Sequence, residues 1–181
     1  MKYLIISTLV ALSLQAKAET YKELKALAFS ESQEMGVRWK SLIKMSQMKQ
    51  NESLLDLKKA LNSSTWYMRN AALLAIDSIN PEIAYAEAKK QLQDPALVVR
   101  SGAVDILVKS KKNIAETRDL LWKELSDKKN RVKTQSLWIR SQISQYLAEN
   151  PIQNERTKFL ALLNDTDEDV KVFAKKALDK F

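Results

Sequence analysis

Hydrophobic and polar positions along the chain repeat with a period of a little over thirty residues. An aliphatic residue followed directly by a basic one occurs five times, at spacings of 31, 31, 33 and 38 residues: Val37-Arg38, Met68-Arg69, Val99-Arg100, Val132-Lys133 and Val170-Lys171. A small residue stands four positions after each aliphatic residue, and in all but the first unit a leucine stands seven positions before it. A period of this length is typical of repeated helical units. The pattern predicts five repeats, over about 19–49, 50–80, 81–111, 112–149 and 150–181.

Each repeat is predicted to contain two helices, A and B. The leucine lies at the end of helix A and the aliphatic–basic pair lies in helix B, because apolar residues recur at helical spacing around both. Two residues after the leucine comes a residue that can cap helix B, namely Ser63, Asp94, Asp127 or Asp165. Each proline, at 81, 95 and 151, follows Asn or Asp and is predicted to open a helix. The B helices are predicted over 36–48, 66–78, 97–109, 131–148 and 168–179.

Composition favours an all-α protein and excludes several chemistries. The 181 residues include two glycines and three prolines but no cysteine and no histidine. Ser-His-Asp and Cys-His nucleophile pairs are therefore excluded, as are zinc sites built from Cys and His. Gly36 and Gly102 lie too far apart for a glycine-rich phosphate loop. No catalytic residue is assigned, no cofactor is expected, and we expect a protein that is not an enzyme.

One acidic segment resembles the beginning of a calcium-binding loop. Asp165, Asp167 and Asp169 alternate with other residues as calcium ligands do. However, Val170 stands where such a loop needs glycine, and Lys176 stands where it needs the bidentate glutamate. The acids are better explained by the favourable interaction of negative charge with a helix N-terminus, so no metal site is predicted.

Two segments carry a resemblance to a known repeat family. Residues 92–107 read LQDPALVVRSGAVDIL and residues 162–178 read LLNDTDEDVKVFAKKAL, and both resemble HEAT repeats of a short variety like that of bilin-lyase-like repeat proteins. The resemblance is weakest in the first repeat, where Ser30 stands in the leucine column. It implies an all-α, armadillo-like fold, a right-handed α-solenoid of about five two-helix repeats. Such a solenoid binds other macromolecules on the concave face formed by its B helices, and the resemblance implies no reaction.

Residues 1–18 have the features of a bacterial signal peptide. A basic start precedes the apolar run Tyr3–Leu14, and Ala16 and Ala18 occupy the two small-residue positions of a cleavage site. The run is shorter than the roughly 20 residues that span a bilayer, and no cysteine is present for lipid attachment. We expect cleavage after Ala18 and a periplasmic or secreted protein; an uncleaved anchor or an ordinary first helix is the alternative. Cleavage removes two lysines and no acid, so the net charge falls from +8 to +6.

The solvent side of the predicted B helices carries the candidate partner-binding residues. Its members are Trp39, Ile43, Asn70, Leu74, Ser101, Asp105 and Trp138. Exposed aromatic and aliphatic residues among polar ones are typical of a protein-binding surface. We therefore expect the partner to be another protein of the envelope or the extracellular space. The alternative is that the helices are rotated, so that these side chains fill gaps between repeats.

Two further residue sets are candidates for binding. An apolar edge is predicted in the turns before the first three B helices, at Met35, Trp66, Tyr67 and Leu97, although packing of these turns against helix A explains the same pattern. The basic column consists of Arg38, Arg69, Arg100, Lys133 and Lys171, and is predicted to form a ladder of ion pairs with the turn aspartates. The alternative is that the column binds an anionic lipid or polymer, with peripheral membrane contact. Nucleic acid is not an expected partner of an exported protein.

Overall fold

The computed structural model describes residues 19–111, 113–133 and 135–181, and the predicted signal peptide lies outside the described residues. The all-α class is confirmed, with one short hairpin added. The α-helices are α1 (Tyr21–Phe29), α2 (Met35–Lys49), α3 (Leu54–Ala60), α4 (Trp66–Ile79), α5 (Pro81–Gln91), α6 (Leu97–Lys109), α7 (Ile114–Ser126), α8 (Trp138–Glu149), α9 (Arg156–Leu162) and α10 (Glu168–Leu178). Strands β1 (Arg131–Val132) and β2 (Gln135–Ser136) pair antiparallel between α7 and α8. Single 3₁₀ turns at Gln50–Ser53, Lys128–Asn130 and Gln153–Glu155 precede α3, β1 and α9.

The helices pack in the order of the chain. Each odd-numbered helix packs against the even-numbered helix that follows it, and each even-numbered helix also packs against the next even-numbered one. The odd and even helices correspond to the predicted A and B helices. Their apolar sides meet in one core cluster that runs from Leu24 in α1 to Ala177 in α10. The core is continuous along the chain because no helix pair can bury its apolar surface alone.

Local sequence explains where several helices begin. Thr20 and Glu23 form a reciprocal capping box at the start of α1. The Asn80 side chain accepts a hydrogen bond from the Ile83 N–H, and Pro81 is the first residue of α5, as predicted. Asp167 caps α10 by accepting from the N–H groups of Asp169 and Val170. These contacts satisfy N–H groups that have no partner inside the helix.

The residues predicted to cap the B helices instead accept hydrogen bonds inside the turn that precedes each helix. Asp94 accepts from the N–H of Ala96, two residues on, and Ser63, Asp127 and Asp165 do the same with Thr65, Lys129 and Asp167. Each side chain therefore closes a turn before the helix starts. For this reason Pro95 lies in the turn before α6, and the prediction that it opens the helix is wrong. Pro151 also lies outside a helix, because a 3₁₀ turn separates it from α9.

The predicted B helix over 131–148 is wrong in its first half. Arg131–Val132 and Gln135–Ser136 form the paired strands of the hairpin, and α8 begins at Trp138. In α8 the side chains of Ile139, Ile143 and Leu147 are fully buried. These residues are spaced four apart and form one buried stripe along α8. Val132 and Ser136 lie in the hairpin strands and are not part of this stripe. The buried aliphatic–basic pair of the fourth repeat is therefore Ile139-Arg140, which precedes Val170-Lys171 by 31 residues.

Among the described residues, no helix combines the length and the hydropathy that crossing a membrane requires.

Candidate interaction surfaces

Arginines of the basic column connect neighbouring helix pairs. Arg69 of α4 donates from Nε and Nη2 to the carboxylate of Asp94, in the turn before α6, at 2.6 and 2.7 Å. Its Nη1 donates to the carbonyl groups of Ser63 and Ser64 in the turn before its own helix. One planar guanidinium group thus binds two successive turns at once, which its fixed fork of donors allows.

Arg100 and Arg38 make similar contacts with different acceptors. Arg100 donates from Nε to Asn130 Oδ1 at 3.0 Å and from Nη1 to the carbonyl of Asp94 at 2.8 Å. Arg38 donates to the carbonyl of Ala28 and to the hydroxyl of Tyr67. Asp127, the predicted partner in the fourth repeat, instead pairs with Lys129 in its own turn.

The fourth member of this arginine ladder is Arg140, which sequence reasoning missed. Its side chain is 1% exposed, and it donates to both oxygens of Asp165, to the carbonyl of Leu125 and to the hydroxyl of Ser136. The predicted member Lys133 is exposed and lies in the hairpin, and Lys171 pairs locally with Glu168. The 31-residue spacing between Ile139 and Val170 was the sequence signal that identifies Arg140.

Most of the titratable groups with clearly shifted pKa values lie at contacts between helices. Burial alone would raise the pKa of Asp165, but hydrogen bonds from Arg140 and from the Asp167 N–H outweigh it and lower the pKa to about 2. Burial and a hydrogen bond to Asp56 raise the pKa of Tyr21 to about 12. The hydrogen bond with Asp94 raises the pKa of Arg69. These pKa shifts arise from hydrogen bonds and ion pairs that join parts of the fold to one another.

The solvent side of the even-numbered helices is called the B-helix face below. It is apolar in α2 and α4. Trp39 of α2 and Leu74 of α4 are 39% and 40% exposed, and Ile43 is partly buried against the core. Asn70 of α4 is partly buried, and its Oδ1 lies 2.9 Å from where a Cβ on Gly102 would be placed. Gly102 therefore allows α6 to approach α4 closely at this position.

The B-helix face is polar in α6 and α8. Ser101 is buried and donates from its hydroxyl to Gln142 Oε1 at 2.9 Å. Gln142 in turn donates to Asp105 Oδ1 at 2.7 Å. Gln142 is a residue that sequence reasoning missed. Hydrogen bonds among these three side chains connect α6 to α8. Of the two predicted binding residues on α6, Ser101 is buried and Asp105 is exposed.

The predicted binding residue Trp138 lies at the beginning of α8. It is the first residue of α8 and directly precedes the Ile139-Arg140 pair, as Tyr67 precedes Met68-Arg69 and Val98 precedes Val99-Arg100. In the predicted register that starts at Val132, Trp138 stood six residues after the aliphatic anchor, whereas in the structure it stands one residue before the anchor Ile139. Trp138 is 53% exposed and lies beside an open groove of about 730 Å³ that Asp167 and Asp169 also line.

The predicted apolar edge is divided between exposed and packed residues. Met35 and Trp66 are exposed, whereas Tyr67 and Leu97 pack against the core. The rings of Trp66 and Tyr67 make an edge contact at 6.0 Å between their centres. Exposed Val98 lies beside Leu97 and continues the edge into α6.

A cavity of about 660 Å³ lies between α4, α5, α6 and the start of α7. Buried Tyr85 and Ile106 line it, together with an ion pair of Lys109 and Asp77 at 2.7 Å. The Tyr85 hydroxyl is hydrogen-bonded to Glu116 and Thr117. The cavity has the volume of a small-molecule site, and none of the residues predicted for binding lines it.

In the described part of the chain no group of three or more acidic side chains is arranged to hold a metal ion. Among the three aspartates of the calcium-like segment, Asp165 is paired with Arg131 and Arg140, and Asp167 caps α10. Comparison with models of known protein families finds no match, and comparison with curated proteins finds no significant similarity.

Proposed function

We propose that the chain is a HEAT-like repeat protein that acts as a non-catalytic protein-binding scaffold, adaptor or inhibitor in the bacterial envelope. In this proposal residues 1–18 are removed on export, and the remaining repeats form a right-handed α-solenoid. The packing of each even-numbered helix against the next supports a solenoid. Once Ile139-Arg140 replaces Val132-Lys133, three of the four spacings between successive aliphatic–basic pairs are 31 residues, which supports it further.

The observation that carries the binding proposal is the exposed apolar patch on α2 and α4. Trp39 and Leu74 lie on two helices that pack against each other, and both keep about two fifths of their surface in contact with solvent. Ile43, one helical turn after Trp39 on α2, is partly buried and packs against the core. Large exposed apolar side chains on a rigid support are typical of the residues that dominate protein–protein affinity. Because the core and the arginine ladder hold the patch in place, a partner pays little ordering entropy to bind it.

The contacts of the basic column do not support the alternative, a protein that binds anionic lipid or polymer. Arg38, Arg69 and Arg100 were the candidate cations, and their guanidinium groups are hydrogen-bonded to carbonyl, carboxylate and amide oxygens of neighbouring turns. A phosphate would have to displace these contacts to reach them.

Site-specific photocrosslinking tests the proposed patch. A photoreactive amino acid is placed at Trp39 or Leu74, and in a control at the exposed Leu55 of α3. Cells expressing each variant are irradiated, and crosslinked partners are identified by mass spectrometry. We expect one partner to be recovered from positions 39 and 74 and not from position 55.

Substitution provides the second half of this test. Trp39→Ala/Leu74→Ala should reduce recovery of that partner by roughly tenfold or more, because the two side chains would become buried against the partner on binding. The matched variant Leu55→Ala/Leu160→Ala removes two exposed apolar side chains from odd-numbered helices and should leave recovery unchanged. Equal recovery with both double variants, at unchanged helicity, would rule out the patch as the binding site.

A further inference from the structure

The cavity of about 660 Å³ between α4, α5, α6 and the start of α7, called the inter-repeat cavity below, is formed by three successive helix pairs. Asp77 of α4 belongs to the second pair, and Tyr85 of α5 and Ile106 of α6 belong to the third. Asn113 directly precedes α7, which begins the fourth pair. Small-molecule sites in proteins commonly have volumes of about 300–1,000 Å³, so this cavity can hold one such ligand.

The floor of the inter-repeat cavity is apolar. Its two buried lining residues are Tyr85 and Ile106. The Tyr85 hydroxyl donates to Glu116 Oε2 at 2.9 Å and lies 3.1 Å from Thr117 Oγ1, so its hydrogen bonds are made within the fold. What these two residues offer a ligand is therefore aromatic and aliphatic surface. An ion placed against this surface would lose hydration without gaining an opposite charge.

The charged side chains at the mouth of the cavity balance one another. They are two acids and two bases, Asp77, Glu82, Lys109 and Lys111, so their formal charges sum to zero. Lys109 and Asp77 form an ion pair at 2.7 Å across the gap between α4 and α6. Lys111 is exposed, and an exposed ion pair contributes little to binding. The mouth therefore gives no net attraction to either an anion or a cation.

Two uncharged polar side chains at the same mouth are available to a ligand. The Ser110 hydroxyl and the Asn113 amide line the cavity, and neither forms a hydrogen bond within the described part of the chain. The amide provides two N–H donors and one carbonyl acceptor, and the hydroxyl can both donate and accept. A few polar groups beside an apolar floor are the usual composition of a small-molecule site.

We propose that the inter-repeat cavity binds a small uncharged organic molecule with an apolar ring system and one amide or hydroxyl group. The ring system packs on Tyr85 and Ile106, and the polar group forms hydrogen bonds with Ser110 and Asn113. Such a ligand joins three helix pairs and stabilises the middle of the molecule. This inference goes beyond the protein-binding patch on α2 and α4, and the cavity shares no residue with that patch.

Three naphthalene probes test the class of ligand, namely the carboxamide, the carboxylate and the methylammonium derivative. Their Kd values for the full chain are measured by saturation-transfer NMR. We expect the carboxamide to bind about threefold or more tightly than either ion, because only the ions lose charge hydration against the apolar floor. Its binding should also slow hydrogen exchange in α5 and α6 and leave α1 and α10 unchanged. Tighter binding of either ion would overturn the proposal.

Two substitutions locate the binding site. Ser110→Trp fills the mouth of the cavity and should weaken carboxamide binding roughly tenfold or more. Ser64→Trp, the same change in the exposed turn before α4, should alter the Kd less than about twofold. Asn113→Leu removes the amide at similar side-chain size and should weaken binding about threefold or more. Equal Kd values for the Ser110→Trp and Ser64→Trp variants, at unchanged helicity, would contradict binding in the cavity.

A last variant separates this proposal from the protein-binding patch. Trp39→Ala/Leu74→Ala should leave the Kd of the carboxamide unchanged, because neither side chain lines the cavity. Loss of carboxamide binding in this variant would move the ligand site to the patch. Absence of carboxamide binding to the unsubstituted chain up to the solubility of the probe would overturn the proposal and leave the patch untouched.

Discussion

The choice between arginine and lysine decides which residues of the basic column join neighbouring helix pairs. Arg69, Arg100 and Arg140 each donate to carbonyl oxygens as well as to an acceptor in an adjacent turn. A lysine ammonium group lacks the planar fork that makes several directed hydrogen bonds at once. Lys171 accordingly makes a local pair with Glu168, three residues before it.

Removing Arg140 should destabilise the protein strongly. Arg140→Ala leaves the nearly buried carboxylate of Asp165 without its main partner, and breaking a buried pair costs about 3–5 kcal/mol. Lys133→Ala, at the position that the sequence pattern had selected, should cost less than about 0.5 kcal/mol because the side chain is exposed. Urea unfolding followed by circular dichroism measures both free energies. Equal losses would contradict the assignment of Arg140 to the ladder.

Asp165 should make stability depend on pH in the acidic range. Its pKa in the folded protein is about 2, below the ordinary value of 3.8. Because the folded-state pKa is lowered, its contribution is complete above about pH 4 and is lost as the pH falls through 2. The shift corresponds to about 2 kcal/mol. Urea unfolding at several pH values should show that Asp165→Asn is less stable at neutral pH and loses about 2 kcal/mol less than the wild type between pH 4 and 2.

At the scale of elements, the hairpin explains why the fourth repeat is longer than the others. The spacing from Val99 to Ile139 is 40 residues, nine more than the 31 found between the other buried pairs. Strands β1 and β2 account for part of these extra residues. Ser136 of β2 lies against Arg140, so the hairpin is tied to the arginine ladder.

Glycine at position 133 should stabilise the hairpin. Lys133 has φ of 56°, a left-handed conformation that costs a residue with a Cβ about 1 kcal/mol or more. Lys133→Gly removes this cost and should raise the free energy of unfolding by about 0.5–1 kcal/mol. Lys128→Gly is the matched control, because Lys128 lies in a 3₁₀ turn where glycine brings only its entropic penalty. A loss of stability in both variants would contradict the explanation.

At the scale of the whole molecule, a buried joint connects α7 to the segment before α9. Arg118 donates from Nε to Glu155 Oε1 at 2.8 Å and from Nη1 to the Asn150 carbonyl at 2.9 Å. Trp122 donates to the same Glu155 oxygen at 2.7 Å. Burial opposes ionisation of Glu155, but the hydrogen bonds from Arg118 and Trp122 outweigh it, and the pKa is lowered. The joint holds the last helix pair against the rest of the core.

Weakening this joint should loosen one end of the molecule only. Glu155→Gln leaves Arg118 buried with a neutral partner, and α9 and α10 have their main contacts with each other and with α8. In a chain of neighbour contacts, a local defect acts locally. Hydrogen exchange should therefore become faster in α9 and α10 and stay unchanged in α1 to α4. Glu116→Gln, at an exposed pair with Lys89, should leave exchange in α9 and α10 unaltered, and uniformly faster exchange in Glu155→Gln would contradict the proposed repeat organisation.

The sequence by itself determined the helical class and the positions of α2, α4, α6 and α10 to within one or two residues. The predicted ranges 36–48, 66–78, 97–109 and 168–179 rest on turn residues and apolar spacing that act within one repeat. Signals of this kind depend on residues close together in the chain, so the sequence alone contains them.

Only the tertiary structure decided the fourth repeat and the binding surfaces. Val132-Lys133 satisfies the small-residue and leucine positions of the local pattern and Ile139-Arg140 does not, yet Arg140 is the residue that reaches Asp165, 25 residues further along the chain. The same change of register made Trp138 the first residue of α8. Exposure and partner are properties of neighbouring helices in space, so residues of one repeat cannot specify them alone.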